Sequence, residues 1–240
     1  MRIVILGDIH GNLEALEAVL RDAEKERPDR FICAGDIVGY GADPGPCVDT
    51  IIKLGCDAVA GNHEYAVLGK TNIEYFTHEA IRSVKWTQQH LTDAQLEYLD
   101  SLPLVLEEED FTLTHGTLHS PELFEYIQTL YDAHLSFKEL RNRICFLGHS
   151  HVPVSFFDTE PVSYTLNPRV ELNEKERALV NVGSVGQPRD QDPRAAYAIY
   201  DTDEGIVRIK RVEYDIDTAA EKIVFSGLPE FNARRLYEGR

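Results

Sequence analysis

The chain has 240 residues, 43% hydrophobic and 27% charged, with 41 acidic against 24 basic side chains and a formal charge of −17. That length buries a sizeable core, and the composition is that of a globular protein rather than a disordered or fibrous one. The acidic excess repels nucleic acid and anionic membranes at long range, although bound metal ions can invert the field locally for a small anionic substrate. No apolar stretch approaches spanning length, and Ile3 to Leu6 is too short for a signal-peptide core. Cys33, Cys47, Cys56 and Cys145 show no close pairing, so they read as small buried hydrophobes of a reducing cytoplasm.

In chain order, Arg2 to Gly7 predicts a strand and Asp8-Ile9-His10-Gly11 the turn after it. Asn12 can cap a helix whose apolar period runs from Leu13 towards Arg27, where Pro28 stops it. Phe31-Ile32-Cys33-Ala34 is a second buried strand, ending in Gly35-Asp36. Strand, helix and strand in so short a span make a βαβ unit with parallel strands. Pro44 to Leu54 predicts a helix, Asp57 to Ala60 a short strand, and Gly61-Asn62-His63-Glu64 a turn. Residues 70–102 are helical in pattern, two helices broken near Leu91-Thr92-Asp93, in a position to roof a site beside Glu64.

The second half changes character. Leu104 to Glu107 and Phe111 to Thr114 predict strands, the latter ending in His115-Gly116. Ser120 to Leu140 is an irregular, partly helical connection, and Ile144 to Leu147 is a strand running into Gly148-His149-Ser150-His151. Val152 to Asp158, Val162 to Leu166, Val170 to Leu172 and Ala178 to Val182 read as short antiparallel strands. A hairpin about Asp203-Glu204-Gly205 and two terminal helices occupy residues 195–240. Without a linker, low-complexity tract or repeat, the expectation is one domain over residues 1–240: two sheets face to face, helices outside.

Five segments share one grammar, a short apolar strand followed by a small residue and then Asp, Asn or His. They carry Asp8 and His10, Asp36, Asn62 and His63, His115, and His149 and His151. The i, i+2 spacing of Asp8/His10 and His149/His151 lets both side chains of a pair reach one locus. Each motif alone has an ordinary structural explanation: a turn acid, a helix cap, a left-handed asparagine, a satisfied core histidine. Five together at strand ends, where open α/β sheets bind ligands, point to a metal site. Oxygen and imidazole without thiolate suit Mn, Fe, Co or Zn, and seven such groups exceed the needs of one ion. Two ions sharing Asp36 would use them economically.

In this order, GD-x-H (Asp8, His10), GD (Asp36), GNHE (Asn62, His63), HG (His115) and GHSH (His149, His151) resemble the signature of the calcineurin-like metallophosphoesterases, and the tail NVGSVGQPRDQDPRAAYAIYD is similar to their compact bacterial branch. The resemblance implies an α/β fold, a four-layer α/β/β/α sandwich of two mixed sheets with a dinuclear site at the sheet edges. It implies two divalent or trivalent ions, manganese favoured for activity. One ion takes Asp8, His10, Asp36 and His151, and the other Asp36, Asn62, His115 and His149. The implied reaction is attack on phosphorus by a hydroxide shared between the ions, with His63 a catalytic residue that protonates the leaving group.

Two positions depart from relatives that cleave phosphoproteins or diadenosine tetraphosphate. Tyr40 stands where those carry an arginine and Gly39 where the protein phosphatases carry an acid. Arg189 or Arg194 can replace the arginine, the alternative for each being a surface salt bridge. Tyr40 can stack on a base or leaving group, or simply line the rim. A terminal dianionic phosphate benefits most from an arginine clamp, so the sequence favours a cytoplasmic hydrolase of small phosphodiesters. The alternatives are a phosphomonoesterase and a diadenosine-polyphosphate or phosphoprotein phosphatase-like hydrolase. A non-catalytic binding module is opposed by the retained His63 and ligands, and a nuclease by the charge and the lack of a basic groove.

Overall fold

A computed structural model describes residues 1–173 and 175–240. It opens with β1 (Arg2–Leu6), α1 (Leu13–Ala23), β2 (Arg30–Cys33), α2 (Pro44–Lys53), β3 (Asp57–Ala58) and α3 (Asn62–Val67). Helices α4 (His78–Gln88) and α5 (Asp93–Asp100) follow, then β4 (Val105–Glu107), β5 (Thr112–Thr114), α6 (Leu130–Glu139) and β6 (Ile144–Leu147). The rest is β7 (Val154–Phe157), β8 (Ser163–Thr165), β9 (Arg169–Glu171), β10 (Ala178–Asn181), β11 (Ala195–Asp201), β12 (Ile206–Val212), α7 (Ile216–Phe225) and α8 (Glu230–Glu238).

The strands form two six-stranded mixed sheets, ordered β3-β2-β1-β11-β12-β9 and β4-β5-β6-β10-β7-β8. β1 and β2 pair in parallel, as the βαβ reading requires, and β3 adds in parallel to β2. Alternation along the strands sets the layers. Ile3 and Ile5 of β1 and Ile144 and Phe146 of β6 pack into one core between the sheets. Val4 and Leu6 point the other way, onto Leu16 and Val19 of α1 and Val48 and Ile51 of α2. Cys145 and Leu147 face Ala133 and Phe137 of α6 on the far side. The result is the α/β/β/α sandwich, with all four cysteines free and buried.

Several local expectations are corrected. The first helix ends at Ala23 and continues to Glu26 only as a 3-10 turn, with Arg27 left-handed. Gly61 to Glu64 is not a turn: Asn62 opens α3, and Glu64 accepts the Gly61 N–H at 2.7 Å, the device that starts a helix. Residues 70–77 are irregular apart from a 3-10 turn at Ile73–Tyr75. At Thr92 the expectation holds: it caps α5, accepting the Gln95 N–H, at the break placed near Leu91-Thr92-Asp93. β10 is antiparallel to β7 but parallel to β6, and β9 joins the first sheet through β12. Pairing partners of short strands are chosen by tertiary contacts that no local pattern specifies. No described helix is long and apolar enough to cross a membrane.

Candidate active site

The polar turns after β1, β2, β5 and β6 and the start of α3 meet at one edge of the sandwich. Backbone bonds tie the turns of each sheet: Asp8 N–H to Gly35 O at 3.0 Å, His10 N–H to Asp36 O at 2.9 Å, and Gly148 N–H to His115 O at 3.0 Å. Others tie one sheet to the other. The His149 N–H lies 3.0 Å from each Asp8 carboxylate oxygen, and the His115 ring donates to Ala34 O at 2.7 Å. Asp8, His10, Asp36, His149 and His151 all adopt positive φ, between 51° and 69°. Such left-handed conformations cost on the order of 1–3 kcal/mol each and persist where the surroundings over-determine them. Gly148 has to be glycine, since a Cβ there would run into the Asp8 carboxylate.

Two groups of ligand atoms result. Asp8, His10, Asp36 and His151 offer atoms mutually within 4.8 Å, and so do Asp36, His115 and His149. Asn62 joins the second group, its Oδ1 lying 3.1 Å from His115 Nε2. The tautomers follow from the outer partners. His10 Nδ1 lies 3.0 Å from Val38 O, and His151 Nδ1 lies 2.5 Å from Gln187 O. A carbonyl only accepts, so each Nδ1 carries a proton and each Nε2 a lone pair. Those two lone pairs face each other at 3.1 Å. In the second group His115 is fixed by Ala34 O in the same way, and its Nε2 faces His149 Nδ1 at 3.0 Å and Asp36 Oδ2 at 3.3 Å. The opposed lone pairs of His10 and His151, beside the Asp36 carboxylate that both groups share, repel unless a cation lies among them, so the donor set fits metal ions of the imidazole- and oxygen-loving kind.

The electrostatics of the protein atoms agree. Burial pushes the Asp8 carboxyl up to about 8 and pulls His10, His149 and His151 well below the usual imidazole range. Burial opposes ionisation of Asp36 as well, but His115 and His63 beside it hold its carboxyl well below the carboxylate range. Burial likewise works against a charged His115, and the Asp36 charge overrides it to raise the imidazole to about 9. Dry, charge-hungry groups of this sort gather at functional sites.

His63 is buried on the α3 side of the cluster. Its N–H donates to Asp36 Oδ1 at 2.9 Å, and its ring centroid lies 4.8 Å from that of His10 and 4.5 Å from that of Tyr40. The ring takes the space in which an acid at position 39 would stand: a Cβ on Gly39 would collide with His63 Nδ1, which is buried without a partner. That leaves Nε2 to meet a ligand. Burial pulls His63 down to about 4, so the ring is neutral until an anion approaches.

The substrate-side candidates divide. Tyr40 is half-buried with its ring centroid 4.7 Å from that of His10. The Arg189 guanidinium carbon sits 5.7 Å above the Tyr40 ring, steadied by Gln187 Oε1 at 2.9 Å. Arg194 does not join them: it is exposed and grips Asp192 at 2.7 Å, the surface-pair alternative. Two neighbours have no counterpart in the sequence reading. Glu64, fully buried, accepts the N–H groups of Asp36, Val38 and Gly61 at 2.8, 3.2 and 2.7 Å and so fastens two ligand turns together. Its place three residues after Gly61 is a signal that could have found it. Tyr126 stacks on His149 with centroids 3.9 Å apart and planes 10° from parallel, and nothing in its loop sequence announces that contact.

Residues 1–205 match the calcineurin-like phosphoesterase superfamily domain. An uncharacterised protein of Methanocaldococcus jannaschii is 42% identical over 244 residues, covering 99% of this chain and 98% of its own. A solved metallophosphoesterase from Sphaerobacter thermophilus is 40% identical and superposes with a TM-score of 0.90, over 100% of this chain and 99% of its own. A hypothetical protein from Pyrococcus horikoshii, 19% identical, shares the fold with a TM-score of 0.83 over 100% of this chain and 98% of its own. The chain belongs to the calcineurin-like phosphoesterase superfamily and is a metal-dependent hydrolase of phosphoric esters.

Proposed function

We propose that this protein hydrolyses small phosphodiesters at a pair of transition-metal ions, manganese serving best. One ion is held by Asp8, His10, Asp36 and His151, the other by Asp36, Asn62, His115 and His149. The observation that carries the reading is the pair of opposed lone-pair nitrogens of His10 and His151, 3.1 Å apart, in a group that shares Asp36 with His115 and His149. When bound, the ions supply a water of lowered pKa and positive charge against the phosphoryl oxygens.

The chain's own residues do the rest. The carbonyls of Val38, Ala34 and Gln187 hold three imidazoles in the tautomer that presents a lone pair inwards. His63 turns Nε2 to the substrate and gives its proton to the departing oxygen. An approaching phosphate raises its pKa from the low value that burial imposes. Arg189, stacked over Tyr40, meets a non-bridging oxygen. A single guanidinium in place of the arginine missing at Tyr40 supports the diester preference, because a monoanionic diester needs less neutralisation than a dianionic monoester. Four free buried cysteines support a cytoplasmic location.

The test is a manganese-supplemented assay of a chromogenic phosphodiester beside the matching monoester, with chelator and His63→Ala controls. The diester turns over faster, chelator abolishes the rate, and His63→Ala keeps its metal while losing about 10²–10⁴-fold in kcat. A faster monoester removes the diester preference, and wild-type turnover by His63→Ala removes the role of that residue.

A further inference from the structure

Beside the buried cluster lies a cleft of about 290 Å³ that His63, Asn62 and His149 share with the surface. Five of its other lining residues are aromatic and come from three separate stretches. Tyr40 follows β2, Tyr75 and Phe76 precede α4, and Phe124 and Tyr126 lie between β5 and α6. The rings close in on the imidazoles from different sides. Tyr40 and Phe76 have centroids 4.5 and 5.8 Å from that of His63, Tyr126 lies 3.9 Å from His149, and Phe124 lies 6.0 Å from His115.

Core packing accounts for Phe124, which is buried, and for Phe76, which lies against the first core, but not for the tyrosines at the mouth. Tyr75 is 91% exposed and Tyr126 41% exposed, so both leave ring surface in water at the mouth of the cleft. Clustered exposed rings of this kind mark a binding surface. The volume decides the size of the guest, because it stands at the small end of ligand pockets, roughly 300 Å³ and upwards. It admits one ring or two fused rings, not a peptide or a long acyl chain. Thr71, Thr77 and Asn62 border the same space and offer hydrogen-bonding groups to the edge of a heterocycle. The cleft also opens on the side where His63 meets the departing group.

We propose that this cleft seats a planar aromatic group carried on the phosphate ester, so that the favoured substrates are aryl or heteroaryl phosphodiesters. The residues ahead of α4, which supply Tyr75 and Phe76, thereby set specificity. The inference rests on the metal-dependent diesterase reading and names the substrate class of that site.

Three monophosphonates separate flatness from mere apolarity: phenylphosphonate, cyclohexylphosphonate and methylphosphonate. Their binding to the manganese-loaded protein is measured by calorimetry, which reads affinity whether or not an ester is hydrolysed. Phenylphosphonate should bind about tenfold more tightly than cyclohexylphosphonate, the scale expected of aromatic stacking. Tyr75→Ala should shrink that preference, and Tyr75→Phe should keep it. Equal affinity for the phenyl and cyclohexyl compounds, binding no better than methylphosphonate, or an unaltered preference in Tyr75→Ala each overturns the assignment. Preference for phenylphosphonate without hydrolysis of the chromogenic diester would leave the ring seat standing and remove the catalytic reading.

Discussion

In the ligand cluster, Asp8, His10, Asp36, His115 and His151 are all at most 1% exposed, and their inner atoms are fixed by partners from both sheets. A short distance away, the cleft is lined by rings such as Tyr75 and Tyr126 that stand partly or wholly in water. The cluster sits where rigid strands end, and the cleft on irregular segments. Chemistry that needs ligand atoms held to fractions of an ångström is placed on the over-determined part. Choice of substrate is left to segments that can change without disturbing it.

The contrast can be broken most severely at Asp36, the residue common to both ligand groups. Asp36→Asn should abolish metal retention and drop kcat/KM by more than the roughly 10–100-fold typical of losing an outer partner. Retention of both ions by elemental analysis would show that the carboxylate is not shared. Next comes Glu64→Gln. One carboxylate oxygen accepts the Asp36 and Gly61 N–H groups and the other that of Val38, so an amide nitrogen at the second leaves the Val38 N–H unmatched, at a cost of about 1–3 kcal/mol in denaturant unfolding. Metal affinity should fall by about 10–100-fold with it.

Glu26, far from the site, gives the yardstick for a surface carboxylate. It pairs with Lys210 at 3.1 Å and Arg208 at 2.9 Å. The Lys210 hydrogen bond, working against partial burial and with Arg208, holds it below its ordinary value of 4.5. A depressed folded pKa means stability that is present above that ordinary value and lost as pH falls through the folded one. Glu26→Gln should therefore lose up to about 1 kcal/mol at neutral pH. Melting curves of the two proteins should converge in acid, and a gap that persists below the carboxylate range would refute the ion-pair account. The smallest effect belongs to the cleft: Tyr75→Ala should leave stability within about 0.5 kcal/mol of the parent. A larger loss in a melt would mean that the ring packs rather than waits for a guest.

Much of the polar cluster was legible because each of its residues follows a short apolar strand, a local pattern that survives in one dimension. Asp8, Asp36, His115 and His149 are visible on those grounds, and His10 and His151 follow from the i, i+2 spacing. Of the cleft, only Tyr40 at the rim and the roofing place of residues 70–102 were legible. Tyr40 and Tyr126 lie on irregular stretches and Tyr75 ends a single 3-10 turn, with no shared period, and only folding brings their rings to one place. Arg189 and Arg194 looked equivalent in sequence, yet one stacks on Tyr40 and the other is captured by Asp192. That choice depends on how the loop after β10 is laid across the site.

By itself, the sequence determined the order of strands and helices, the alternation that makes both sheets two-sided, and the kinds of atom available to bind a metal. These are properties of neighbours along the chain, set by period and by residue chemistry. The tertiary structure alone decided that β10 runs parallel to β6, that Asn62 opens a helix, and that a ring of His63 lies against Gly39. It also decided that lone pairs from residues 141 positions apart face one another. Such contacts cost chain entropy to form and are repaid only by the packing of the whole sandwich, so no short stretch carries them.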